Sequence, residues 1–63
     1  MTAAELAAKA HTLSVAAATS DQHKAAATAH YEAAMAYPAR SEDRGYHLRC
    51  WKSQRRQQFA AQS

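Results

Sequence analysis

Ala16-Ala17-Ala18-Thr19-Ser20-Asp21-Gln22-His23 is the stretch on which the fold turns. Alanine is the best helix former, and the chain on both sides of these residues is rich in it, so an uninterrupted reading gives one long helix from Thr2 to Tyr37. Thr19, Ser20 and Asp21 can each cap a helix. Thr19 and Gln22 also have capping-box spacing, in which hydroxyl and amide each satisfy a backbone N–H that the first helical turn leaves unpaired. The cluster therefore favours a break and a helical hairpin. It contains neither Gly nor Pro, so the continuous helix stays open as the alternative at this stage.

Toward the N-terminus, Thr2-Ala3-Ala4-Glu5 is a second capping box, and Glu5 precedes Lys9 by four residues, the favourable order for a helical ion pair. Leu6, Ala10, Leu13 and Ala17 form one stripe at helical spacing, and Ala4, His11, Val15 and Ala18 form another, which predicts contact on more than one side. Toward the C-terminus, Ala27, Tyr31, Ala34 and Met35 are expected to face inward, with His23, His30 and Tyr37 on an adjacent stripe. Pro38 forces its predecessor toward extended geometry and makes Tyr37-Pro38-Ala39-Arg40 a loop. Ser41 is an N-cap, and Glu42 and Asp43 place negative charge where the helix dipole is positive. A third helix is predicted from about Ser41 to near Gln62, with Gly45 in its second turn costing about 1 kcal/mol relative to Ala. The expectation is a small all-α protein, a helical hairpin plus a basic C-terminal helix, in one domain over residues 1–63.

The chain is 48% hydrophobic, but more than half of that is alanine. The larger apolar side chains are only Met1, Leu6, Leu13, Val15, Tyr31, Met35, Tyr37, Tyr46, Leu48, Cys50, Trp51 and Phe59. So short a chain with so thin a core is near the limit of independent folding, which makes a homo-oligomer or a bound partner a natural source of further stability. The single cysteine, Cys50, excludes an intramolecular disulfide and suits a reducing compartment. The start lacks a basic secretory leader, and no window near twenty residues is free of charge, so the chain reads as complete, cytoplasmic and unassociated with membrane.

With Pro38 in the position of the closing proline, Leu13, Ser14, Ala26 and Ala33 fall where a tetratricopeptide repeat places Leu, a small residue, Ala and Ala. Residues 7–40 thus resemble a single degenerate tetratricopeptide-like hairpin. Ala17 and His30 depart from the pattern, occupying positions that usually carry large aromatics. The resemblance implies a protein-binding scaffold.

No catalytic signature is present, and no cofactor is expected. No two histidines have the three- or four-residue spacing that aims both rings at one ion, so a metal site would need assembly across helices, for example from His11, His30, His47 and Cys50. The expectation is instead that the histidines are partly buried rings filling space that alanine would leave empty. Cys50 beside His47 suggests a thiolate and its base, but nucleophilic catalysis also needs an oxyanion site and a cleft, and a small buried thiol beside a polar ring is the simpler reading.

Charge supplies the most specific functional signal. The net charge is +3, and residues 44–63 carry Arg44, Arg49, Lys52, Arg55 and Arg56 with no acid. Arg49, Lys52 and Arg56 define one basic face; His47, Leu48, Trp51 and Phe59 define an apolar one, rimmed by Arg44 and Arg55. Arg55, one turn after Trp51, is placed to stack on the indole. The expected function is non-enzymatic: a small regulator or inhibitor that binds a larger partner, a protein with an acidic surface, through Arg44, Arg49, Trp51, Lys52, Arg55 and Arg56. Nucleic-acid binding through the same helix is the alternative, although no zinc-finger, helix-turn-helix or RRM pattern accompanies it.

Overall fold

A computed structural model describes residues 1–62 and contains three helices: α1 (Ala3–Ala16), α2 (Ser20–Ala36) and α3 (Glu42–Gln62). No strand occurs among the described residues. The alternative of one continuous helix from Thr2 to Tyr37 is excluded. Ala17 leaves the helical region at φ −69°, ψ 129°, and Thr19 is extended at φ −96°, ψ 164°. The break is held by side chains: Gln22 Oε1 accepts from the backbone N–H groups of Ala18 at 2.8 Å and Thr19 at 3.1 Å, while Thr19 Oγ1 accepts from Gln22 N–H at 3.2 Å. The Thr2 box forms as well, with both reciprocal bonds at 3.1 Å. Their hydrogen bonding to Thr2 holds the Glu5 carboxyl below the ordinary carboxylate range. At the second turn, Ser41 Oγ donates to Pro38 O at 2.9 Å and accepts from Arg44 N–H at 3.2 Å.

The central helix is α2. α1 packs on one side of it and α3 on the other, with little contact between α1 and α3. Three helices closed into a triangle at about 9 Å spacing would span about 14 Å in cross-section, and three in a flat row about 23 Å. The wider cross-sectional extent, 19 Å beside 13 Å over a 35 Å length, lies between these limits, so the molecule is an open wedge.

This arrangement explains what is buried. The α1–α2 contact sets Leu6 and Leu13, both half-buried, against Ala10, Ala29 and Ala33. Ala26, Ala27 and Ala34 complete the buried apolar set, which is made of alanine alone. The expectation that Tyr31 and Met35 face inward is corrected: they remain 44% and 41% exposed, because α2 buries the stripe carrying His23, Ala26, His30 and Ala33. The second stripe of α1 is corrected as well. With α3 held away, Ala4, His11, Val15 and Ala18 stay exposed, Val15 at 74%.

Candidate docking face and histidine seam

The alanine core leaves room that imidazole rings fill. His30, the largest fully buried side chain, lies in the middle of α2, where small neighbours admit a ring. Its Nε2 is 2.6 Å from Ser14 Oγ of α1, and its Nδ1 is 2.9 Å from His47 Nδ1 of α3. One residue thereby joins all three helices. His47, also buried, is stacked by Tyr37 at 5.7 Å and met edge-on by Tyr46 at 5.1 Å. Farther along the α2–α3 contact, His23 Nδ1 is 2.6 Å from Gln54 Oε1, and both residues are buried. Since an amide oxygen only accepts, His23 is the donor in that bond.

Burial pushes the His30 ring below its ordinary pKa, and repulsion from His47 and His11 adds to the effect. Burial lowers His47 too, against a smaller opposing attraction from Asp43. Neutral imidazoles are therefore the forms that fit this interior. His11 differs from the expectation of a partly buried ring and is exposed. It lines the mouth of the wedge together with Ser14, Val15, Tyr46, Cys50, Ser53 and Gln54, around a cavity of about 260 Å³ with His30 at its inner side.

Among the described residues, no group of three His, Cys, Asp or Glu side chains could hold a metal ion. His47 turns its Nδ1 to His30, not to Cys50. The neighbouring Cys50 thiol, together with some burial, pushes the Tyr46 phenol above its ordinary range.

The residues expected to bind a partner lie on α3. Arg49, Lys52, Arg55 and Arg56 are exposed, and Trp51 is half-buried. Trp51 meets Tyr31 of α2 at 5.4 Å with the rings tilted by 54°, and the Arg55 guanidinium lies 5.5 Å from the indole and 5.6 Å from the Phe59 ring. Arg55 is thus held between two aromatics. Lys24, Ala27 and Thr28 of α2 face Trp51, Arg55 and Gln58 of α3 across a groove of about 270 Å³. Trp51, Lys52, Arg55 and Arg56 also line a more open hollow of about 460 Å³. Arg44 stands apart from this group, donating from Nη2 to the Met35 sulfur at 3.5 Å.

Sequence reasoning missed Gln54, Ser14 and the exposed contribution of Tyr31 and Lys24. Gln54 carried a usable signal, because it lies seven residues after His47 on the same helical stripe. Its polarity disguised that position as surface.

The chain matches no family, curated protein or solved structure with which it was compared. No helix among the described residues is long and apolar enough to cross a membrane.

Proposed function

We propose that the protein acts by binding and not by catalysis, regulating or inhibiting a larger protein whose acidic surface docks on α3. The observation carrying this reading is the cluster in which Tyr31 of α2 meets Trp51, Arg55 and Phe59 of α3, with Lys24 of α2 and Lys52 and Arg56 of α3 around it, while residues 44–63 contain no acid. Aromatic and arginine side chains are those most enriched where binding energy concentrates. A preordered arginine also loses less conformational freedom on meeting a carboxylate. The scaffold role implied by the tetratricopeptide-like hairpin agrees with this reading.

Acidic protein is favoured over nucleic acid by the surroundings of Trp51. Sequence-tolerant binding of single strands relies on aromatic faces on which bases stack. The indole already has Tyr31 and the Arg55 guanidinium as neighbours, which leaves the cations of α3 as the accessible features.

The test takes a partner captured from the native host and compares wild type with Arg55→Ala, Phe59→Ala and the joint charge reversal of Arg49, Lys52 and Arg56, each confirmed to be helical. Loss of Arg55 should weaken binding by tenfold or more, and charge reversal should slow association most at low salt. Equal binding by all folded variants would remove α3 as the docking surface. Preferential capture of nucleic acid, with affinity falling steeply and linearly on a log–log salt plot, would establish the alternative.

A further inference from the structure

We infer that the Ser14–His30–His47 chain is an acid-sensitive latch, which holds the three helices together while its two imidazoles share no more than one extra proton and releases them when both are protonated. This inference concerns the interior and is independent of the docking reading. Its basis is stoichiometric. In a 2.9 Å contact between Nδ1 of His30 and Nδ1 of His47, one nitrogen must donate and the other must offer a lone pair.

Two neutral rings satisfy this requirement. If His30 donates from Nδ1, its Nε2 accepts from the Ser14 hydroxyl; if His47 donates, His30 Nε2 gives its proton to Ser14 Oγ. One added proton can also be housed, with His30 donating at both nitrogens, to His47 and to Ser14. A second cannot. It leaves two N–H groups directed at each other across the same contact and puts two positive charges side by side.

The surroundings offer little compensation. From α1, His30 faces Ser14 and the exposed His11, whose protonation adds repulsion. From α3, it faces His47, with Tyr46 and Cys50 along the same cavity. His47 meets Tyr37 beyond the end of α2 and Tyr46 on its own helix. Asp43, one turn before His47, is the acidic group that acts on this ring. A carboxylate at that position favours the first proton without separating the two rings. His23 is a different case: it already donates to Gln54 Oε1, so protonation of its other nitrogen leaves that bond intact.

The latch should act below the ordinary histidine pKa. Both folded-state values are lowered, so the unfolded chain binds more protons in this window; stability is complete above about pH 6.5 and falls as the pH drops through the folded-state values. The measurement is chemical denaturation of the full chain between pH 7.5 and 5, accompanied by imidazole ¹⁵N chemical shifts. Because the folded pair houses one proton where the unfolded chain takes up two, the unfolding constant of wild type should rise by about tenfold per pH unit once the first proton is bound, since each proton taken up contributes a factor of ten per unit. His47→Gln should flatten that dependence by nearly tenfold per unit, because a neutral amide can pair with His30 as donor or acceptor. His23→Gln should retain most of the latch's dependence. Parallel pH profiles for wild type and His47→Gln would overturn the latch. If His47→Gln fails to fold, wild-type shifts decide: His30 and His47 titrating independently at ordinary values, with helix packing intact, would equally refute it.

Discussion

At the residue scale, the interior is unusual in using polar rings where larger proteins use aliphatic side chains. His23, His30, His47 and Gln54 are all buried, and no buried side-chain nitrogen or oxygen among the described residues lacks a hydrogen-bond partner. Such a seam is stable only while it is complete. Removing one member of a buried pair costs about 1–3 kcal/mol, whereas replacing both with apolar groups of similar shape can be nearly neutral. Gln54→Leu should therefore lower unfolding free energy by about that amount, because His23 Nδ1–H loses its acceptor. His23→Leu combined with Gln54→Leu should recover most of the loss. Urea denaturation of the two single variants and the double variant checks this, and additive single losses would show that the bond does not govern the site.

At the element scale, much of the architecture is legible from ends. Thr2, Thr19, Pro38 and Ser41 place the boundaries because capping and proline geometry are local and leave a mark at short spacing. Inward faces are less legible. In an alanine-rich helix every face is similarly apolar, so Tyr31 and Met35 looked like core while the small residues beside His30 formed it. The placement of Trp51 against Tyr31 likewise depends on how α2 and α3 are rotated, which no local pattern specifies. The α1–α2 break deserves a direct test, since it rests on side chains without Gly or Pro. Thr19→Ala removes the cap and should cost about 1 kcal/mol. It also adds a helix former to the hinge, and a fused α1–α2 helix would recover its lost contacts from a second copy by swapping. Size-exclusion chromatography should show an increased dimer fraction; an unchanged monomer would show that the hinge is maintained elsewhere. Gly45→Ala should act oppositely on stability. The added Cβ would lie 3.7 Å from Arg49 Nη1, an ordinary contact, so the helical gain of about 0.5–1 kcal/mol should appear as a raised Tm.

At the scale of the whole molecule, the open wedge determines what remains exposed. Two helices packed on a third, without closing against each other, leave Met1, Val15, Tyr31, Met35, Tyr46 and Phe59 between 41% and 78% exposed. An alanine core contributes little hydrophobic free energy per residue, since stabilisation follows the apolar area removed from water at about 25 cal/mol per Å². Covering the exposed side chains is therefore a substantial reserve, available to a partner or to another copy. We expect self-association to draw on that reserve, so that Tm rises with protein concentration, as linkage requires when assembly and folding are coupled. The charge layout limits how copies can meet: bringing two α3 basic faces together would oppose Arg49, Lys52 and Arg56 to their equivalents, so an isologous dimer should form away from them, through Val15 of α1 and Tyr46 of α3 at the mouth of the wedge. Val15→Asp should then abolish the concentration dependence while preserving helicity. A wild-type Tm independent of concentration, together with a monomeric mass in analytical ultracentrifugation, would reject this assembly and leave the exposed surface to a different macromolecule.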